Sequence, residues 1–260
     1  MQAILCDDRD GVRHLQLNRA QVHNAFDDNL IAELTQALQQ AAEDPSVRAI
    51  VLGGAGASFS AGADLNWMRG MAQASEQQNR DDSLRLAALM RTLQFCPKPT
   101  IARVHGAAYG GGVGLVACCD IAIGTDGAKF GLSEVKLGLV PAVISPYVIA
   151  AIGVRQARRL FLTGETFDAG TALRIGLLHK VVAADALDDA VQATAALLAK
   201  AGPVAQAQAK QLALRTAGLS EADAEQIDRE NADLIARLRV SDEGQEGLGA
   251  FLAKRAPAWI

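Results

Sequence analysis

The 260-residue sequence lacks an excess of basic charge: 25 Lys and Arg stand against 29 Asp and Glu, a formal net charge of −4. That argues against a general nucleic-acid or membrane-surface binder, whose electrostatic footprint is positive. No apolar stretch of membrane-spanning length is free of both charges and breakers. Cysteine is scarce. Of the four, Cys118 and Cys119 are adjacent within an apolar run, which suits buried thiols in a reducing cytoplasm better than a disulfide framework with Cys6 and Cys96. No Cys/His spacing matches a zinc site, so no metal is expected. The first strand-like run begins almost at Met1, leaving no room for a signal or transit peptide on this reading. Apolar residues are plentiful, half of the total, and suit one sizeable core with a small appended region.

Up to about Lys136, strand-like and helix-like runs alternate. Val12–Leu17 alternates apolar and polar residues, as a half-exposed strand does. Asp27 or Asp28 can cap a helix to about Glu43 that carries Leu30, Ile31, Leu34 and Leu38 on one face. Residues 47–53 read as a buried strand, followed by a glycine-rich loop through Asp64. A long helix is expected over 79–95, then strands at 100–105, 120–124 and 128–131. These repeated units predict a parallel or mixed α/β core. After Pro141 the pattern turns helical, with helices opening near Asp168, Asp185, Pro203, Ser220 and Glu243.

The most informative local feature is Gly110-Gly111-Gly112, between a strand-like and a helix-like run, with Glu134 further along. Gly112-Val113-Gly114-Leu115-Val116-Ala117 fits a dinucleotide fingerprint, but the unit sits in mid-chain and Glu134 arrives one strand too late. Close helix–strand packing is the plain alternative. A second glycine-bearing loop, Ser60-Ala61-Gly62-Ala63-Asp64, changes the balance. Loops at the ends of parallel strands face one sheet edge, so both could direct backbone N–H groups at one oxygen gaining negative charge.

Leu17-Asn18-Arg19, Asn24-Ala25, the run from Phe59 to Leu65, Lys98-Pro99, the run from His105 to Gly112, Cys119-Asp120 and the segment from Phe130 to Pro141 occur in one order. With the stretch from Phe251 to Arg255 and Trp259, they resemble the crotonase superfamily, the enoyl-CoA hydratase/isomerase family, over nearly the whole chain. The resemblance implies an α/β fold, the crotonase (ClpP-like) spiral of ββα turns over residues 1–190, with a helical C-terminal trimerisation region over 191–260. It implies a homotrimer or homohexamer, a cytoplasmic enzyme, and an acyl-CoA substrate with no cofactor beyond the coenzyme A that the substrate carries.

Carried over residue by residue, the resemblance makes Ala63 and Gly111 the amides that hold the thioester oxygen and Glu134 the catalytic acid/base. Arg19 and Lys254, with Arg255, become candidates for coenzyme A phosphates. Ala61, Asp64 and Leu65 would meet the coenzyme A moiety, and Phe251 the pantetheine. Tyr109, Gly110 and Val143 would line the acyl end. His105 and Asp120 read as packing or local hydrogen-bonding groups. Gly114 departs from the pattern, because hydratases of the family often carry a first glutamate there. The segment Val143-Ile144-Ser145-Pro146-Tyr147 replaces the Gly-Gly-Thr-Gln stretch of many members. It resembles bacterial methylglutaconyl-CoA and isohexenylglutaconyl-CoA hydratases, which implies a branched, carboxylated substrate of leucine or acyclic-terpene breakdown. The expectation is therefore an enoyl-CoA hydratase, with an isomerase as the alternative and a non-catalytic acyl-CoA- or RNA-binding homologue as a third reading.

Overall fold

The structure is a computed structural model that describes residues 2–260; Met1, where the strand-like reading began, lies outside the described residues. The chain opens with an antiparallel hairpin, β1 (Ile4–Arg9) and β2 (Val12–Leu17). Asp10 and Gly11 both take positive φ (52° and 77°) at its tip, the geometry a tight two-residue hairpin demands. β2 then pairs in parallel with β3 (Ala49–Gly54), and the sheet continues through β5 (Thr100–Val104), β7 (Ile121–Thr125) and β10 (Lys180–Val182).

A smaller second sheet stands beside it. Its order is β4 (Ser58–Ser60), β6 (Ala107–Tyr109), β8 (Lys129–Gly131) and β9 (Thr166–Asp168). The first three are parallel and β9 is antiparallel. Each turn of the chain lays one strand in the large sheet and the next in the small one before a helix returns it. Thus β3 and β4 lead to α2 (Leu65–Gln73) and α3 (Glu76–Gln94), β5 and β6 to α4 (Gly111–Cys118), and β7 and β8 to α5 (Ser145–Thr163). The result is an α/β spiral of ββα turns. Sequence periodicity missed β4 and β6 because a three-residue strand is too short to show a period.

The large sheet is covered on both faces, as parallel sheets are. One face meets α1 (Asp28–Glu43), whose Leu30, Ile31, Leu34 and Leu38 are buried as expected. Asp27 rather than Asp28 is its cap, accepting the Leu30 N–H at 2.8 Å. The other face, Val12, Val51, Ile101 and Ile123, packs on Leu187, Val191 and Ala195 of α7 (Leu187–Ala199). The expected division after residue 190 falls inside this helix.

The remaining helices are α6 (Ala169–Arg174), α8 (Pro203–Thr216), α9 (Glu221–Val240) and α10 (Asp242–Leu252). α9 lies along α3 and is tied to it by Arg80–Asp233, Arg91–Asp228 and Arg239–Asp82 ion pairs. Cys96, Cys118 and Cys119 are buried free thiols and Cys6 is exposed. No helix among the described residues is long and apolar enough to cross a membrane.

Candidate active site

The site is built where the small sheet ends. β4 and β6 run side by side, so the chain leaves both at the same edge. After β4 the backbone passes through Gly62, where a β-carbon would stand 2.9 Å from the Tyr109 carbonyl oxygen. After β6 it turns sharply at Gly110, whose φ of 49° and ψ of −118° suit glycine alone. The Gly110 N–H donates to the Gly131 carbonyl at 2.9 Å, which ties this turn to β8.

Two amides are left bare by this arrangement. Ala63 bridges Phe26 in parallel: the Phe26 N–H donates to the Gly62 carbonyl (2.6 Å) and the Asp64 N–H to the Phe26 carbonyl (2.9 Å). In such a bridge the amide of the middle residue points the other way, and the Ala63 N–H donates to no acceptor among the described residues. The Gly111 N–H is the first of α4. It belongs to the unpaired first turn of the helix, and no side chain caps it.

Glu134 begins a single tight turn, Glu134–Leu137, just after β8. Its Oε1 lies 3.1 Å from where a β-carbon on Gly110 would be, so the carboxyl sits against the residue preceding the Gly111 amide. The residue as a whole is half-buried, but Oε2 is sealed from solvent and has no hydrogen-bond partner. Burial pushes the carboxyl from its ordinary value of 4.5 up to about 7. The group therefore exchanges its proton near neutrality.

Both loops and Glu134 open on one cavity of about 780 Å³, a volume suited to a small-molecule site. Its apolar wall comes from Trp67, Met68 and Met71 of α2, from Val143 and Ile144, and from Leu248 of α10. Among the described residues no three His, Cys, Asp or Glu side chains group as metal ligands. Bare paired amides, a neutral-range carboxyl and an apolar cavity together suit chemistry at a carbonyl whose oxygen becomes anionic.

A family model described as enoyl-CoA hydratase/isomerase matches residues 7–260. The chain belongs to the enoyl-CoA hydratase/isomerase family. A solved enoyl-CoA hydratase from Shewanella pealeana ATCC 700345 is 45% identical over 99% of this chain and 96% of that one, with a TM-score of 0.80. The 2,3-dehydroadipyl-CoA hydratase of Escherichia coli (strain K12) is 33% identical over 99% of this chain and 98% of its own length. A crotonyl-CoA hydratase of Syntrophomonas wolfei is 31% identical, covering 99% of this chain and 97% of the relative. The two-sheet spiral is thus the crotonase fold.

Against this family pattern, Ala61, Ala63, Asp64, Leu65, Tyr109, Gly110, Gly111, Glu134, Val143 and Phe251 all line the cavity. Leu65 and Phe251 are half-exposed at 50% and 47%, which puts them at its rim. Arg19 and Lys254 do not line it. The Arg19 guanidinium is engaged by Asp27 (2.8 Å), Asp64 (3.1 Å) and the Ala25 carbonyl, and so braces the Ala63 loop. Arg255 lines the cavity beside Lys254, but Glu246 holds it in a bidentate pair at 2.6 and 2.8 Å. The Asp64 N–H goes to the Phe26 carbonyl and its own carbonyl accepts from Met68, while its carboxylate caps α2 through Asn66 at 2.8 Å. Asp120 accepts from the Thr100 N–H at the start of β5, and His105 pairs with the Gly56 carbonyl; neither reaches the cavity.

Gly114 holds the largest surprise. A β-carbon there would stand 2.4 Å from Ile144 Cγ2 and 3.2 Å from Met90 Cε. The place expected of a first glutamate is not an empty gap but is filled by the buried Ile144 side chain. Sequence reasoning also passed over Trp67, Met68, Met71 and Arg239. Asp64 as a cap before an amphipathic stretch was the available signal for α2. Nothing in the pattern marks Arg239.

Proposed function

We propose that the protein is an enoyl-CoA hydratase acting on a 2-enoyl-CoA thioester. The observation that carries this is the sealed, unpartnered Glu134 carboxyl held near pH 7 against the Gly110 turn, beside a bare amide. The Ala63 and Gly111 N–H groups hold the thioester oxygen. Ionised Glu134 takes a proton from water as the water oxygen bonds to C3. The C2=C3 electrons move onto the thioester oxygen as an enolate, where each amide lowers the barrier by about 3 kcal/mol. Glu134 then returns the proton to C2, and the net change is addition of one water. No cofactor is needed beyond the coenzyme A of the substrate.

The acyl group is branched or carboxylated, of the methylglutaconyl-CoA kind. The Val143–Tyr147 segment supports this, and so does a relative at 33% identity named for a carboxylated acyl group. The protomers assemble as a homotrimer or a dimer of trimers. In support, α8 buries no residue of its own while exposing Val204 (75%) and Leu212 (55%), and a helix of this length is marginal without tertiary packing. A monomer mass by light scattering would remove the assembly.

One observation favours a second reading. A single carboxyl with an isoleucine in place of its partner is enough to move a proton between two carbons, as an enoyl-CoA isomerase requires. A product assay in deuterated water over a panel of enoyl-CoAs, 3-methylglutaconyl-CoA included, separates the two. The hydratase yields 3-hydroxyacyl-CoA, and a shifted double bond with no hydrated product refutes it. Glu134→Gln lowers kcat/KM by about 100- to 10,000-fold, the worth of a general acid–base; undiminished turnover removes Glu134 from the mechanism.

A further inference from the structure

Arg239 is a cation inside the apolar cavity that the reaction above does not use. It sits in the last turn of α9, and its backbone is fixed because Gln245 Nε2 bonds both the Arg239 carbonyl (2.7 Å) and the Ala72 carbonyl (2.9 Å). The side chain is only 14% exposed. Its Cζ lies 5.6 Å over the Trp67 ring, a cation–π distance. Trp67 and Ile235, one turn earlier on α9, line the cavity with it.

The hydrogen bonding of this guanidinium is incomplete. Nη1 alone has partners, and all are long: Asn79 Oδ1 and Asp82 Oδ2 at 3.3 Å and Ser83 Oγ at 3.4 Å. Nε and Nη2 donate to nothing among the described residues, yet neither is sealed in the protein. Asp82 is shared, since it also accepts from Trp67 Nε1 (3.2 Å) and Arg85 (3.1 Å). The other cations on the cavity wall differ. Arg255 is paired with Glu246, Arg69 bonds Asn66, and Lys136 is exposed. A largely buried arginine that lines a ligand cavity and keeps two unsealed, unpartnered donors suits a planar, bidentate anion.

We propose that Arg239 is the specificity determinant that receives a carboxylate at the far end of the acyl chain, through its Nε and Nη2 donors. This rests on the acyl-CoA reading of the cavity and names a residue for the charge of its substrate. The Trp67 ring beneath the guanidinium and Asp82 at Nη1 hold it in place, so Nε and Nη2 are presented without reorganisation. An uncharged acyl chain leaves those donors facing apolar carbon, which penalises it.

The test measures binding of saturated, unreactive pairs in which a methyl replaces the carboxylate: glutaryl-CoA against pentanoyl-CoA, and adipyl-CoA against hexanoyl-CoA. Calorimetry gives the ratio of dissociation constants for each pair. The full-length protein is expected to favour one carboxylated member by about 10- to 100-fold, as a charge-assisted contact in a desolvated site does. Arg239→Gln should bring the ratio to near one, and Arg239→Lys should retain part of it. The ratio does not depend on the folded fraction, and Arg239→Lys keeps the Asp82 pair if the glutamine variant folds poorly. No preference in the parent, a preference that survives in Arg239→Gln, or one left undiminished in Arg239→Lys overturns the proposal. These ligands do not react, so the outcome is independent of whether turnover proves to be hydration. An enzyme that hydrates enoyl-CoAs yet shows no preference loses Arg239 but keeps its proposed function.

Discussion

Replacing Glu134 by glutamine should make the protein more stable, and by more at alkaline pH than in acid. The carboxyl ionises at about 7 in the folded chain against 4.5 ordinarily. An acid raised on folding works against stability as pH rises: the unfolded chain releases its proton first, and stability falls between 4.5 and about 7. Linkage puts the cost at about 1 kcal/mol at pH 5.5 and about 3 kcal/mol at pH 8.5, the latter being its full extent. Glutamine has nearly the same shape and cannot ionise, so the variant escapes this cost. Its neutral amide leaves a polar atom unpaired at Oε2, as the protonated acid does, and that contribution cancels. Urea unfolding of parent and variant at both pH values, at one protomer concentration, should show a gain that grows by about 2 kcal/mol from acid to alkali with an unchanged slope. A gain that does not depend on pH, or a loss at pH 8.5, would mean the carboxyl is satisfied in solution and not poised by burial. The same substitution should slow the proposed reaction by orders of magnitude, so a more stable, far less active variant is the signature of a group kept charged for chemistry at the expense of the fold.

Further outcomes follow from the same geometry. The kcat/KM for hydration should rise with pH through about 7 and level off, because the proposed mechanism needs ionised Glu134 to take the proton from water; a flat profile from pH 5.5 to 8.5 would assign that proton to another group. Gly114→Ala should destabilise by about 1–2 kcal/mol, as the overpacking against Ile144 exceeds the usual helical gain over glycine. Ile144→Ala should relieve that penalty in the double variant. Thermal unfolding of the four proteins measures the coupling, and strict additivity refutes the contact.

Much of the spiral was legible because its large-sheet strands and outer helices are long enough to carry periodicity. β3, α1, α8 and the helix caps at Asp168 and Ser220 stand where apolar spacing and capping chemistry put them. Of the small sheet only β8 was legible, at 128–131; β4, β6 and β9 are three residues long and held by register with their neighbours. At the site, glycine spacing pointed to backbone donors, but only the fold shows why Ala63 and Gly111 are bare. Arg19 illustrates the limit in the other direction. A cation in the loop after the first strand reads as a candidate for a phosphate, and only the fold shows that Asp27 and Asp64 engage it. Ile144 filling the room beside Gly114, and Arg239 lining the cavity beside Trp67, depend on contacts between distant segments, which no local pattern encodes.

The near contact between Gly62 and the Tyr109 carbonyl has a mechanical consequence. With no side chain between them, the two loops rest backbone on backbone, and each is also pinned elsewhere, to Phe26 and to Gly131. The gap between the Ala63 and Gly111 amides is then a property of the sheet edge and not of the cavity wall. Much of the apolar wall is made by α2, Ile144, α9 and α10, none of which belongs to either sheet. Breathing or mutation of those parts reshapes the chamber for the acyl chain while the two donors keep their spacing. Selectivity can therefore drift across a lineage without retuning the charged centre.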